Sequence, residues 1–211
     1  MLYPLHLQLR NRRCLIIGGG PVAERKAAGL GQAGGAVAVV SPRCTPTLHA
    51  SAQSGEIEWL QESYQDKQLS GAFLVFACTD DRAVNAQVLR DAQARGLLTL
   101  VADDPETGDF VSPTVVRRGD LLLTASTQGN SPTLTAVIRE RLEAEFGPEW
   151  AELTALIGDA RGLLQNNRDE AARKAAVRRV LDDAQVRRLI QDGRQLEAGA
   201  RVRECLSSSS E

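Results

Sequence analysis

Cys14-Leu15-Ile16-Ile17-Gly18-Gly19-Gly20-Pro21-Val22-Ala23-Glu24-Arg25-Lys26 decides the reading of this chain. Four apolar residues run straight into a glycine turn, and the turn runs into an alanine-rich segment. Cys14 to Ile17 reads as a fully buried strand. Val22 to Ala33 reads as a helix stopped at Gly34-Gly35, and Ala36 to Val40 as a second buried strand. Strand, glycine turn, helix and strand in sequence make one βαβ unit. The turn itself has the spacing G-x-G-x-x-A. Gly18 lets the chain turn sharply. Gly20 lets the backbone approach a pyrophosphate with no Cβ in the way, and Ala23 keeps the helix close to the strand. Pro21 and Val22 open the helix, whose free N–H groups and partial positive charge favour an anion. A glycine triplet alone also fits a plain turn. Its flanking strand and helix turn it into an expectation of dinucleotide binding.

The alternation continues outward. Ile57 to Leu60 reads as a short strand and Ala72 to Cys78 as a strong buried one. Asp81 to Arg95 reads as a helix stopped at Gly96, and Leu97 to Ala102 as the next strand. Such alternation predicts a parallel sheet with helices on both faces. From Phe110 the pattern changes. Val111 to Val116 and Leu121 to Ser126 read as two strands joined by Arg117-Arg118-Gly119-Asp120, followed by a helix from Thr133 to Phe146. From Trp150 to Cys205 the pattern is helical only, around Leu153 to Leu164, Glu170 to Leu181 and Ala184 to Leu196. Arg173, Lys174, Arg178, Arg179, Arg187 and Arg188 lie in this part among interspersed acids, which reads as a solvated face. The alternative is a patch for a polyanionic substrate.

Composition excludes several classes. The 211 residues are 43% hydrophobic and 25% charged, normal for a soluble globular chain. A formal net charge of −2 makes no case for nucleic acid or a membrane surface. No apolar run approaches the ~20 residues of a membrane span, and Met1-Leu2-Tyr3-Pro4-Leu5-His6 lacks the pattern of a signal peptide. Cys14, Cys44, Cys78 and Cys205 are scattered. The expectation is a reduced, cytoplasmic protein with no structural zinc site.

The second strand's end bears on the cofactor. Many NAD-binding folds place an acid there for the adenosine ribose. Here the residues are Ser41, Pro42 and Arg43. Either Ser41 and backbone groups hold a ribose diol, giving NAD, or Arg43 pairs with a 2′-phosphate, giving NADP. The next predicted strand ends in Thr79-Asp80-Asp81, with Asn85 one turn into the following helix, and these fit a helix cap as well as a ligand crevice. The strand after it ends in Val101-Ala102-Asp103-Asp104-Pro105, where Pro105 stops the element. Asp103 at that edge suits proton transfer beside a cofactor, although Asp-Asp-Pro is also ordinary turn chemistry.

Taken in order, these motifs resemble a known family. Leu9-Arg10-Asn11-Arg12 with the glycine turn, Ala77 to Asp81, Val101 to Pro105 followed by Phe110, and Ser126-Thr127-Gln128-Gly129-Asn130-Ser131-Pro132 resemble precorrin-2 dehydrogenase, which occurs alone or as the N-terminal module of siroheme synthase. The resemblance covers residues 1 to about 150 well. It implies NAD-dependent oxidation of precorrin-2 to sirohydrochlorin and, in some members, insertion of ferrous iron. It implies that Asp103 is the catalytic general base. Cofactor contacts fall on Gly18, Gly20, Pro21, Val22, Ala23, Ser41, Pro42, Arg43, Thr79, Asp80 and Asn85. Substrate contacts fall on Ser126, Thr127, Gly129, Asn130 and Ser131, and no residue is a metal ligand.

The implied fold is α/β: a Rossmann-type parallel sheet (1–112), a small α+β dimerisation region (113–148), a C-terminal helical domain (149–206) and a disordered tail (207–211), in a homodimer. Three positions depart from the family pattern: Leu100 stands where an Asn is usual, Thr127 where some members carry a phosphorylated serine, and Gln128-Gly129 where a glycine pair is usual. The acidic tetrapyrrole substrate needs fixed cations, for which Arg117, Arg118 and the basic helical residues are candidates. A reading from another class is a non-catalytic NAD-binding regulatory or sensor module.

Overall fold

In a computed structural model, residues 1–104, 106–165 and 169–207 are described. The chain forms two compact units, Met1–Ser112 and Pro113–Glu211.

The first unit is built on a five-stranded parallel sheet. Its elements are β1 (Arg13–Ile17), α1 (Pro21–Gln32), β2 (Ala36–Val40), α2 (Pro46–Gln53), β3 (Glu58–Leu60), a 3₁₀ turn at Asp66–Leu69, β4 (Leu74–Ala77), α3 (Arg82–Ala94) and β5 (Leu98–Val101). The strand order is β3-β2-β1-β4-β5, so the chain winds outward from β1 in both directions. Ile17 lies opposite Val40 on one side and Ala77 on the other, which brings the ends of the central strands to one edge.

The apolar runs explain this sheet. Strands covered on both faces read as continuous hydrophobic stretches. Cys14, Ile16, Val37, Val39, Phe76 and Cys78 pack with Ala23, Ala27 and Leu30 of α1. Leu15, Ile17, Ala38, Val40, Val75 and Ala77 pack on the other face with Val88 and Ala92 of α3.

The expected β4 is shorter by its ladder, yet Phe73 N–H still bonds Arg13 O at 2.8 Å and Cys78 N–H bonds Ile17 O at 2.7 Å. Helix α2 has no counterpart among the elements expected from the sequence. Thr45 caps it by accepting from Leu48 N–H at 3.2 Å and Pro46 begins it, but only Leu48 of its residues is buried, so its apolar signal is faint.

The second unit opens with the antiparallel hairpin β6 (Thr114–Arg118) and β7 (Leu121–Ala125). Here the structure corrects the expected strand over Val111 to Val116. Pro113 has no N–H to give, so pairing starts at Thr114 opposite Ala125 and runs on to Arg118 opposite Leu121. The loop is therefore two residues, Gly119-Asp120.

Among the described residues six helices follow: α4 (Pro132–Glu145), α5 (Glu149–Asp159), α6 (Arg161–Gln165), α7 (Glu170–Asp182), α8 (Ala184–Gln191) and α9 (Gln195–Ser207). The single helix expected over Ala184 to Leu196 is two, broken where Gly193 takes φ +70°. Leu153, Val180, Val186 and Val202 join these helices in one core. Ser207, expected in a tail, is the last residue of α9. The remaining expected tail residues, 208–211, and Pro105 lie outside the described residues.

Candidate functional site

The glycine turn packs as its chemistry requires. Gly18 has φ +120°, and a Cβ there would lie 2.5 Å from Cys78 O. The end of β1 and the end of β4 therefore touch backbone to backbone. A Cβ on Gly20 would meet nothing within 4 Å, so the space beside this residue is open. Gly20 is the N-cap of α1 with no side-chain cap hydrogen bond, and Pro21 follows at the first helical position. The N–H of Val22 thus borders an open cradle at the positive end of a 12-residue helix, while Ala23 is fully buried and packs that helix onto the sheet. The residues present fit a pyrophosphate.

Gly19, which the motif reading passed over, has its own task. A Cβ there would lie 2.1 Å from Arg43 O and 2.9 Å from Ser41 Oγ. The loop after β2 folds back over the turn, and Thr45 N–H bonds Gly19 O at 2.9 Å. Ser41 is fixed from behind, its N–H bonding Leu60 O at 3.1 Å and its carbonyl accepting from Trp59 Nε1 at 3.0 Å. Pro42 and Arg43 are exposed on the outer side of this loop.

Thr79, Asn85 and Asp103 form one bonded group. Asn85 is 1% exposed. Its Oδ1 accepts from Thr79 N–H at 3.1 Å and from Thr79 Oγ1 at 2.8 Å. Its Nδ2 donates to Thr79 O at 3.0 Å and to Asp103 Oδ1 at 2.7 Å. Every donor and acceptor position of the amide is occupied by the protein. Asn85 therefore meets protein groups here, and it ties the end of β4 to the carboxylate beyond β5. Asp81 Oδ1 caps α3, accepting from Ala83 N–H at 2.8 Å and Val84 N–H at 3.3 Å, while Asp80 stays exposed. Arg82 Nε lies 3.6 Å from Asp103 Oδ2.

Burial pushes the Cys78 thiol up to about 11. The Lys26 ammonium opposes that rise and Asp103 adds to it. Burial in turn holds Lys26 below the usual lysine value.

Beyond Asp103, Asp109 clamps the outgoing chain to β5. Its Oδ2 accepts from Thr99 N–H at 2.9 Å and its own N–H bonds Thr99 O at 2.8 Å. Phe110 then stacks edge-on against Phe76 at 5.4 Å between centroids.

In the second unit, Ser126 to Ser131 form a self-bonded loop before α4. Thr127 Oγ1 accepts from Ser131 N–H at 3.1 Å and lies 3.2 Å from Ser131 O. Ser126 Oγ accepts from Gln128 N–H at 3.1 Å, and Ser131 Oγ caps α4 through Leu134 N–H at 3.1 Å. Gln128 sits at φ +55° and Gly129 at +86°, so a side chain occupies a left-handed position that favours glycine. Gly129 and Asn130 are exposed at the tip.

Several of the cations considered for the substrate are committed elsewhere. Arg118 donates to Phe146 O at 2.7 Å, Lys174 pairs with Glu170 at 2.7 Å and Arg187 donates to Leu181 O at 2.5 Å. Among the described residues no group of three or more His, Cys, Asp or Glu could hold a metal ion, and no helix is long and apolar enough to cross a membrane.

Known proteins resemble this chain. Residues 5–114 match a family model described as "Putative NAD(P)-binding". A siroheme synthase of Methylobacillus flagellatus is 41% identical over 158 residues, 75% of this chain and 34% of that protein. A siroheme synthase of Chromobacterium violaceum is 43% identical over 142 residues, 67% of this chain and 30% of that protein. The chain thus spans about a third of the length of these relatives. Among solved structures it is similar to "SirC, precorrin-2 dehydrogenase", with a TM-score of 0.72 and 25% identity, covering 95% of this chain and 100% of that one.

Proposed function

The chain belongs to the NAD(P)-binding family whose model it matches over residues 5–114, and from that premise we propose that it is an NAD-dependent precorrin-2 dehydrogenase, yielding sirohydrochlorin. The observation that carries this reading is the path from cradle to carboxylate. Gly18 abuts Cys78 and Thr79, Thr79 bonds Asn85, and Asn85 bonds Asp103. One carboxylate is thereby fixed relative to the dinucleotide cradle. The likeness to a precorrin-2 dehydrogenase over nearly the whole chain supports the same substrate.

In this reading Gly18, Gly20, Pro21 and Val22 surround the pyrophosphate, with Ala23 buried behind them as the contact that holds the helix against the sheet; Ser41, Pro42 and Arg43 flank the adenosine ribose, and Thr79 and Asp80 edge the crevice. Asn85 acts behind Thr79. The bound dinucleotide supplies the hydride acceptor. Asp103 takes the proton released by the macrocycle as its hydride departs; with Oδ1 clasped by Asn85, Oδ2 is the oxygen turned to that task. Ser126, Thr127, Gly129, Asn130 and Ser131 form the substrate loop. A passive sensor module has no use for a carboxylate held by a buried amide, which favours the catalytic reading.

A homodimer belongs to the same proposal. No residue of α4 is buried, and Leu134 and Val137 on it are exposed. Sedimentation at two concentrations tests this. Iron insertion rests on the family resemblance and is tested by siroheme formation from sirohydrochlorin and Fe²⁺ against a no-enzyme control. The deciding experiment for the main activity mixes protein, precorrin-2 and NAD. NADH absorbance should grow, and well-folded protein that yields none refutes the reading. A parallel assay with NADP reports what Arg43 does at the ribose.

A further inference from the structure

The two oxygens of Asp103 are held very differently. Oδ1 receives a 2.7 Å hydrogen bond from a buried amide. Oδ2 has Arg82 Nε at 3.6 Å, beyond hydrogen-bond distance, and the Arg82 side chain is 88% exposed. A pair this long and this open contributes little to stability. Arg82 is the first residue of α3, and Asp81 already caps that helix. The arginine therefore has no structural task that its position explains, yet it stands beside the carboxylate of the proposed site.

We propose that Arg82 is a substrate-binding residue whose guanidinium takes a carboxylate of the polyanionic tetrapyrrole. This rests on the reading of the chain as a precorrin-2 dehydrogenase. The planar fork of an arginine presents five donors and suits bidentate recognition of a carboxylate, and its loose contact with Asp103 leaves that fork available. An arriving carboxylate is the stronger partner, so Arg82 exchanges Asp103 for the substrate. Oδ2 is then released while Oδ1 stays clasped by Asn85. Substrate docking and exposure of the base become one event.

The test compares wild type with Arg82→Ala, Arg82→Lys and Arg82→Glu. Sirohydrochlorin binding is read from its visible absorbance, NAD binding from quenching of tryptophan fluorescence, and KM for precorrin-2 from NADH formation. Arg82→Ala should weaken sirohydrochlorin and raise KM about 10- to 100-fold, the worth of one charge-assisted hydrogen bond. Arg82→Lys should recover part of that loss and Arg82→Glu should deepen it. Sirohydrochlorin affinity should fall less steeply with salt in Arg82→Ala than in wild type. A change below about threefold in Arg82→Ala, or an equal loss of NAD affinity, overturns the proposal. Wild type that neither binds sirohydrochlorin nor oxidises precorrin-2 overturns the enzymatic reading itself, and this inference with it.

Discussion

Asn85 Nδ2 donates to Asp103 Oδ1 at 2.7 Å from a side chain that is 1% exposed. The same amide closes both backbone groups of Thr79. One buried residue thus sets the spacing between the end of β4 and the proposed base.

Replacing it tests its two duties. Asn85→Leu leaves the Thr79 N–H and C=O without their partner, at a cost of about 1–3 kcal/mol for each group that finds no other. Its unfolding midpoint should fall clearly. Asn85→Asp keeps an acceptor for Thr79 N–H but sets a carboxylate against Asp103 and leaves Thr79 C=O without its donor, so its midpoint should fall as well, and kcat should fall about 100-fold. Denaturant titration and steady-state kinetics measure both. If Asn85→Asp turned over at the wild-type rate, the clasp would have no part in placing Asp103.

Asp103→Asn tests the base directly. The amide is nearly the same size, so the fold and NAD affinity should persist. Losing a general base lowers turnover by about 10²–10⁴-fold. Fluorescence titration with NAD and the precorrin-2 assay belong side by side. Intact turnover would assign the proton to another group.

The glycines of the turn should fail in different ways. Gly18→Ala brings a Cβ to 2.5 Å from Cys78 O at φ +120°. The backbone strain should cost about 1–3 kcal/mol, the clash adds to it, and the loss should appear as a lower unfolding midpoint without cofactor. Gly20→Ala meets no protein atom within 4 Å. It should fold almost as wild type yet bind NAD at least about tenfold more weakly, because its methyl enters the cradle. Equal stability losses in the two variants would refute this division.

Much of this arrangement was legible in the chain, for identifiable reasons. Buried strands of a parallel sheet write themselves as apolar runs, so β1 and β2 stand out. The glycine turn carries its spacing along the chain. Asn85 was visible only as a polar residue one turn into a helix. That its amide reaches Asp103, 18 residues on, depends on β5 lying beside β4, and pairing is not written in local pattern. Gly19 was passed over because its neighbour is the loop at Arg43, remote in sequence. Arg82 gave no signal at all, being one exposed arginine among many. The break at Gly193 was hidden because apolar spacing continues across it into α9.

Alkaline pH should weaken the first unit through Cys78. Burial raises its thiol to about 11 from the usual 9.0. The folded state therefore holds this proton more tightly than the unfolded chain does. The stability that follows is complete below about pH 9 and is lost as pH climbs towards 11. Lys26 acts in the opposite sense. Its value is lowered by burial, so its charged form is a burden to the fold that eases as pH rises. Cys78→Ala removes the first effect and keeps the second. Denaturant midpoints between pH 9 and 11 should then fall less steeply in the variant than in wild type. Parallel curves would mean that the Cys78 proton is held no more tightly in the fold than in the unfolded chain.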